Sequence, residues 1–171
     1  MCGRFAQYAD ADTLARHFEL APVPALTPRY NVAPTQPVLA VRADGSGQRE
    51  LTALRWGLVP SWSKGPDNRY SMINARAETV ATKPAYRAAF VRRRCLIPAD
   101  AFYEWRAGAD GKVPHAIRRE DHEPFAMAGL WEHWLGPDGS EIDSCTIIVT
   151  DANALLGPIH DRMPVILDSA D

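Results

Sequence analysis

The second residue of the chain is a cysteine, within the opening stretch MCGRFA. A small residue after the initiator permits removal of Met1, and Cys2 would then carry a free α-amine beside its thiol. An exposed 1,2-aminothiol of this kind condenses with an aldehyde, because the neutral amine forms an imine that the thiol closes into a thiazolidine. A terminal amine titrates near ~7.7, so a useful fraction is neutral close to pH 7. The same residue is also compatible with acyl transfer by an N-terminal hydrolase, or with a chance small residue after Met1.

Three further stretches carry polar side chains suited to chemistry. In NAR, Asn74 can hydrogen-bond a sugar hydroxyl and Arg76 can hold a phosphate. In DAFYEW, Glu104 is flanked by aromatic residues, which suits proton transfer if the carboxylate is buried, although strand alternation would equally direct it to solvent. In PIHDRMP, His160 lies in a polar loop before a β run, a suitable place for a general acid or base. Taken one at a time, each has an ordinary structural alternative.

The remaining cysteines and histidines favour structural roles. Cys95 and Cys145 lie in or beside apolar strand-like runs, so we predict packed, inert thiols. Three cysteines give no even disulfide framework, and their spacing matches no zinc site. We therefore predict no metal and no cofactor. The other histidines are predicted to be structural or solvated: His17, His115, His122 and His133.

Charge is unevenly distributed along a chain whose net charge is −2. Residues 55–94 hold nine Lys/Arg against two Asp/Glu, whereas residues 95–171 hold five against fourteen. Sixteen of the nineteen basic residues are arginines, whose planar guanidinium suits phosphate oxygens. The basic central third indicates a polyanionic partner, with a merely solvated face as the alternative. In RWGLVPSW, Trp62 is suited to stacking on a nucleic acid base, or to covering part of the core.

The elements that must position these residues are predicted to form one α+β domain with a mostly antiparallel, barrel-like β-sheet and a few short helices. We predict a helix over Asp12–Leu20 with Asp10 or Asp12 as its cap, and one or two short helices over residues 78–93. Residues 20–37 hold five prolines and are predicted to be a loop or an extended segment. Asp110–Gly111 and Asp138–Gly139 are typical hairpin turns. Strand-like runs are VLAVRA, ELTALRWGLV, RRCLIPA, AFYEWR, HAIRR, FAMAGLWEHW, CTIIVT and PVIL.

No apolar run approaches the ~20 residues of a membrane helix, and the start lacks a secretory pattern. These two observations predict a cytoplasmic protein with no membrane partner.

Taken together and in order, the motifs MCGRFA, RYNVAPTQ, RWGLVPSW, INARAET, CLIPADAFYEW and IVTDAN…IHDRMPV resemble the SRAP family (SOS response-associated peptidase). Its members shield abasic sites in single-stranded DNA. The resemblance covers residues 1–171 as a single domain. It also implies that the family's C-terminal end lies beyond this sequence, since relatives continue past MPVIL.

The resemblance assigns roles to the candidate residues. The α-amine of Cys2 would attack the ring-opened aldehyde of an abasic deoxyribose, and its thiol would close a thiazolidine in a single-turnover or slowly reversible reaction. Asn74 would hold the amine and the sugar. Glu104 would shuttle protons, and His160 would act as acid or base in opening the sugar ring. A lyase activity through the imine follows from the same chemistry, and the family name records a proposed cysteine peptidase activity.

The resemblance also implies a DNA-binding surface. Arg4, Arg76 and Arg162 match phosphate contacts of the family. Other positions that match DNA-lining residues are Asn31, Pro34, Trp62 and Thr150. The implied partner is single-stranded DNA containing abasic sites, bound by a monomer associated with the nucleoid. An N-terminal cysteine autopeptidase and a reader that binds DNA without bonding remain alternatives at this stage.

Overall fold

The computed structural model describes residues 2–66 and 72–168. Two helices lie within this part of the chain, α1 (Ala11–Phe18) and α2 (Arg87–Arg92). The strands are β1 (Phe5–Gln7), β2 (Arg29–Val32), β3 (Pro37–Ala43), β4 (Arg49–Trp56), β5 (Asn74–Arg76), β6 (Arg94–Ala99), β7 (Ala101–Gly108), β8 (Gly111–Ile117), β9 (Phe125–Leu135), β10 (Glu141–Asp151), β11 (Arg162–Pro164) and β12 (Ile166–Leu167).

Five strands close into a barrel in the order β10–β4–β3–β6–β9 and back to β10. The β4–β10 pair is parallel, and the other four pairs of the ring are antiparallel. Three short strands extend this sheet, since β5 and β11 pair with β10 and β12 pairs with β9. The barrel-like, mostly antiparallel architecture predicted from the sequence is confirmed.

A second sheet of four antiparallel strands, β2–β1–β7–β8, lies beside the barrel. Gln7 at the end of β1 joins the two sheets. Its buried side-chain amide donates to the carbonyl oxygens of Leu39 (2.9 Å) and Pro98 (2.8 Å), and its Oε1 accepts from the Leu39 N–H (3.0 Å). This three-bond contact holds the N-terminal strand against β3 and β6.

The main buried cluster draws side chains from both sheets. Its largest fully buried members include Trp56, Phe5 and Phe102. Helix α1 covers the outside of the barrel, where Leu14 and Phe18 pack in a separate cluster. The hydrophobic interior is therefore continuous between the barrel and the second sheet.

Several local predictions are confirmed. Helix α1 begins after Asp10, whose Oδ1 accepts from the Thr13 N–H (2.7 Å), and it ends at Glu19 in the left-handed conformation (φ 54°). Asp110 lies in the β7–β8 turn with Gly111 as the first residue of β8, and Asp138–Gly139 lies between β9 and β10, so both predicted hairpins are present.

The structure differs from the sequence-based reading at the shortest strands. β1, β2 and β5 have three or four residues each, too few for alternation to identify them, and β2 lies within the proline-rich segment. The run ELTALRWGLV ends as a strand at Trp56, because Gly57 takes φ 124°. HAIRR ends as a strand at Ile117. Among the described residues, no helix is long and apolar enough to cross a membrane.

Candidate active site

Cys2 precedes β1 and lies in the main buried cluster, with no side-chain exposure. β1 pairs with β2 and β7, with Phe5 opposite both Val32 and Phe102. The sequence predicts an exposed aminothiol, and for the thiol this is wrong. A small, weakly polar Sγ gains more from packing in this cluster than from hydration.

The electrostatics of Cys2 connect it to Glu104. Burial raises the pKa of the Cys2 thiol from 9.0 to about 12, and the negative charge of Glu104 adds to the rise. The backbone N–H of Arg4 hydrogen-bonds the sulfur and opposes it. The thiol is therefore protonated near neutral pH.

Glu104 projects from the inner face of β7, where alternation places it on the same side as Phe102. It is only 3% exposed, so the sequence-based alternative of a solvated carboxylate is wrong. In the β7–β8 ladder, Phe102 lies opposite Ile117 and Glu104 lies opposite His115. The next pair outward on this face is exposed, so Glu104 lies where the core gives way to solvent.

Asn74 begins β5 and lies opposite Ile147 of β10. Its backbone carbonyl accepts a hydrogen bond from the Tyr86 hydroxyl (3.3 Å). Both polar atoms of its side-chain amide are buried, and neither has a hydrogen-bond partner within residues 2–66 and 72–168. A buried amide without protein partners is prepared to bind a ligand.

Trp56 links the N-terminal strand to the residue before Asn74. Its ring contacts Phe5 edge to face, with centroids 4.9 Å apart. Its indole N–H donates to the Ile73 carbonyl (3.0 Å). Ile73 and Ile159, the residues before Asn74 and His160, both pack against the cluster that contains Cys2. The four candidate catalytic residues therefore adjoin one continuous core.

His160 lies in the loop before β11 and is held through Nδ1. This nitrogen accepts from the Arg162 backbone N–H (3.0 Å) and lies 2.9 Å from Oδ1 of Asp161. Because Nδ1 accepts from the backbone N–H of Arg162, Nε2 is the ring nitrogen that can carry a proton and donate it.

The candidate arginines surround these groups. The Arg4 guanidinium donates to Oδ1 of Asn31 (3.0 Å), and Arg76 at the end of β5 is exposed. Arg162 pairs with Glu78 and with Asp151 (3.2 Å). The hydrogen bond from Arg162 lowers the pKa of Glu78. A DNA phosphate at Arg162 would therefore compete with two carboxylates.

The other predicted DNA-facing residues lie in different places. Thr150 is near the end of β10, opposite Met163, and Pro34 is in the turn between β2 and β3. Trp62 is 69% exposed in the loop after β4. The Trp134 indole anchors that loop through the Ser63 carbonyl (2.9 Å), near the start of β10. Trp62 is thus held at one end of this strand, whereas Thr150 lies at the other.

Two outcomes concern the remaining cysteines and histidines. Burial raises the pKa of Cys95 to about 12 and that of Cys145 well above its ordinary value, so the prediction of packed thiols is confirmed. In the described ranges, no three His, Cys, Asp or Glu side chains are grouped to hold a metal ion. The sequence analysis predicts a structural or solvated His115, and the strand register places it opposite Glu104. Pairing residues outward from the Asp110–Gly111 turn would have predicted that register.

The sequence model of the SOS response associated peptidase (SRAP) family matches residues 1–171. The chain belongs to the SRAP family. This SRAP chain is 47% identical to the abasic site processing protein YoqW of Bacillus subtilis, over 98% of the chain and 76% of YoqW. It is 33% identical to the abasic site processing protein YedK of Escherichia coli, over 98% of the chain and 75% of YedK.

A vertebrate relative and solved structures agree. The abasic site processing protein HMCES of Xenopus tropicalis is 36% identical over 82% of the SRAP chain, which spans about half of HMCES. A crystal structure of a Bacteroides thetaiotaomicron protein matches with a TM-score of 0.85 and 28% identity, over 98% of this chain and 77% of that one. A Bordetella bronchiseptica protein matches with a TM-score of 0.82 and 29% identity, over 99% and 85%. These likenesses support the fold and the family together.

Proposed function

We propose that this SRAP chain processes abasic sites in single-stranded DNA by forming a covalent crosslink through Cys2 once Met1 has been removed. The observation that carries the proposal is the burial of both Cys2 and Glu104, with the carboxylate near enough for its charge to raise the pKa of the Cys2 thiol. An N-terminal aminothiol beside a proton-transferring group is what condensation with an aldehyde requires. The names of the relatives, which are abasic site processing proteins, support the same substrate.

The chemistry balances without a cofactor. The Cys2 amine adds to C1′ of the ring-opened sugar, and the carbonyl oxygen gains a proton to give a carbinolamine. Loss of that oxygen as water gives the imine: the Glu104 carboxylate takes the proton that leaves nitrogen and passes it to the departing hydroxyl. The Cys2 sulfur then adds to the imine carbon while the thiol proton passes to nitrogen. One aldehyde and one aminothiol thus give one thiazolidine and one water.

Asn74 and His160 complete the proposed site. The unpartnered amide of Asn74 can accept from the Cys2 amine and donate to a sugar hydroxyl. Since Nδ1 of His160 accepts from a backbone N–H, its Nε2 would donate a proton to the ring oxygen as the sugar opens. The imine intermediate also offers a route to strand cleavage, so a slow lyase activity belongs to the proposal.

DNA binding would rest on phosphate contacts and stacking, since an abasic site has no base edge to read. Arg4, Arg76 and Arg162 are the proposed phosphate contacts, and the exposed ring of Trp62 is a stacking surface worth about 1–3 kcal/mol per base. Asn31, Pro34 and Thr150 would line the path of the strand. Binding of this kind weakens steeply as salt rises.

The state of the thiol favours aldehyde chemistry over acyl transfer. A cysteine hydrolase needs a thiolate as its nucleophile, whereas burial and Glu104 raise the pKa of Cys2 to about 12. Condensation starts from the amine and uses the thiol only for ring closure. The environment of Cys2 therefore favours the crosslinking function over a peptidase.

The first prediction tests the crosslink with two substitutions of Cys2. Cys2→Ala retains the amine without sulfur, so we expect no durable adduct with an abasic oligonucleotide on a denaturing gel. Cys2→Ser should give an imine that borohydride traps but that otherwise dissociates, because no thiazolidine forms. Cys145→Ala removes a different buried thiol and should crosslink like the parent chain. Intact mass would establish that Met1 is absent from each sample.

Two results would contradict the proposal. Absence of any shifted band from the processed parent chain would exclude a crosslink, and tight binding without one would favour a reader that only binds. Equal durability of the adducts from Cys2→Ser and the parent would exclude ring closure by sulfur.

A further inference from the structure

The inner face of the β7–β8 hairpin presents three successive cross-strand pairs. Phe102 and Ile117 form the innermost pair and belong to the core. Glu104 and His115 form the next. Arg106 and Val113 form the outermost pair, and both are exposed. Along this face, a buried apolar pair is therefore followed by a titratable pair and then by a solvent-exposed pair.

His115 and Glu104 are direct neighbours on this face. Side chains directly opposite in an antiparallel pair have Cβ atoms about 4.5–5.5 Å apart. An imidazole and a carboxylate at that separation can reach hydrogen-bond distance by side-chain rotation alone. The ring of His115 is therefore placed to act on Glu104.

The ring nitrogen of His115 is available for such a contact. Its Nε2 is buried and has no hydrogen-bond partner within residues 2–66 and 72–168. Buried ring nitrogens are normally satisfied, and the apolar pair on the inner side offers no partner. The polar neighbour on the opposite strand is Glu104.

We propose that His115 is a positioning residue of the active site, which donates a hydrogen bond from its ring to the Glu104 carboxylate and holds it toward Cys2 during the reaction. This inference rests on the proposed function and adds a residue to it. Among these three pairs, the other charged group is the Arg106 guanidinium at the exposed rim. Arg106 lies two residues further along the same strand as Glu104, one pair further out, whereas His115 lies directly opposite, so His115 is the closer donor.

The experiment measures the rate of crosslink formation separately from the affinity for DNA. His115→Phe removes the donor while keeping a planar ring, and His115→Gln keeps an N–H donor of similar reach. The bonding rate is measured in single turnover at saturating abasic oligonucleotide. The affinity is measured with an oligonucleotide carrying a tetrahydrofuran abasic analogue, which has no aldehyde. His122→Gln, at an exposed histidine outside the hairpin, is the matched control.

We expect His115→Phe to form the crosslink about tenfold more slowly than the parent chain. This loss of rate is smaller than the ~10²–10⁴-fold typical of a direct proton-transfer group. Its affinity for the analogue should stay within about twofold of the parent, and His115→Gln should recover most of the rate. In a Glu104→Gln background, His115→Phe should have little further effect, because residues that act through one another are not additive. Thermal unfolding checks that each variant folds, and His115→Leu replaces the phenylalanine variant if it does not.

Three outcomes would overturn the inference. They are an undiminished rate in His115→Phe, an equal loss in the glutamine and phenylalanine variants, or a full loss that persists without Glu104. A loss of affinity as large as the loss of rate would instead make His115 a DNA contact and would also overturn it. A processed parent chain that forms no crosslink overturns the proposed function itself, and this inference with it.

Discussion

At the residue scale, several side-chain polar atoms of the candidate site are buried, and some of them have no hydrogen-bond partner among the described residues. The Asn74 amide is the clearest example, since both of its polar atoms are buried and unpartnered among the described residues. Leaving a buried polar group unsatisfied costs about 1–3 kcal/mol. We infer that this cost is recovered when the substrate binds.

A prediction about Asn74 follows. Asn74→Leu replaces the amide by an apolar group of similar size, so the free energy of unfolding should be unchanged or rise by up to about 1 kcal/mol. Crosslinking should slow at least tenfold, because the amine and the sugar lose their shared partner. Urea unfolding and single-turnover crosslinking measure the two effects. A substantial loss of stability would indicate that the amide supports the fold instead.

How far the sequence predicts these residues depends on the kind of information each one needs. Cys2 could be identified because a cysteine directly after Met1 would carry a free α-amine beside its thiol once Met1 is removed. The burial of Glu104 could not, since alternation gives two faces and only the pairing of β7 with β1 and β8 decides which one is covered. The position of His115 opposite Glu104 follows from the hairpin register. The Asp110–Gly111 turn sets that register, but composition and motif spacing alone do not reveal it.

At the element scale, Cys2 is positioned by one of the short strands, β1, which follows it in the chain. β1 has three residues, and side-chain hydrogen bonds hold it in addition to its ladders. Gln7 bonds to β3 and β6, and the carboxylate of Asp100 accepts from the backbone N–H groups of Tyr8 (2.5 Å) and Ala9 (3.1 Å). These bonds hold the end of β1 in place, and thereby the position of Cys2 at the other end of this short segment.

We therefore predict that Gln7→Ala lowers the free energy of unfolding by about 2–4 kcal/mol, because it leaves buried carbonyl and N–H groups of β3 and β6 unsatisfied. It should also slow crosslinking in the fraction that remains folded, since Cys2 loses its register with Glu104. Chemical denaturation and crosslinking on the same sample report both effects. Gln48→Ala, at an exposed glutamine, should change neither. Equal stability of Gln7→Ala and the parent would show that the ladders alone hold β1.

The elements that the sequence predicts well are those with a strong local signal. Helix α1 has an Asp cap and an apolar stripe, and the two hairpins have Asp–Gly turns. By contrast, β1 and β5 form against the longer strands β7 and β10, and β2 forms against β1. Their formation depends on tertiary partners that no local pattern contains.

At the scale of the whole molecule, three thiols are enclosed in one interior. Cys2, Cys95 and Cys145 are all buried, and burial raises the pKa of each. The unfolded chain loses thiol protons near pH 9, whereas the folded chain keeps them up to about pH 12. The folded state thus binds more protons in this interval, so stability falls as pH rises through it.

We predict a nearly constant free energy of unfolding up to about pH 8.5 and a decline above pH 9. Each thiol contributes a slope that approaches about 1.4 kcal/mol per pH unit once the unfolded thiol is ionised. Urea unfolding between pH 8 and pH 10 measures the slope and avoids most tyrosine ionisation. Cys95→Ala should make the decline shallower by about one third. A flat profile to pH 10 would contradict the shared burial of the thiols.

Closure of the barrel also sets an order of events during synthesis. The parallel pair joins Ser144 to Arg55, a separation of about ninety residues, and ring closure over such a distance is slow to form. The enclosure around Cys2 includes Ile147 and Ile159, which leave a ribosome about 8–30 s after the start of the chain at ordinary translation speeds. During that interval the thiol of Cys2 is in contact with water, although the finished fold encloses it. The order in which the strands are synthesised therefore sets the moment at which this thiol leaves solvent.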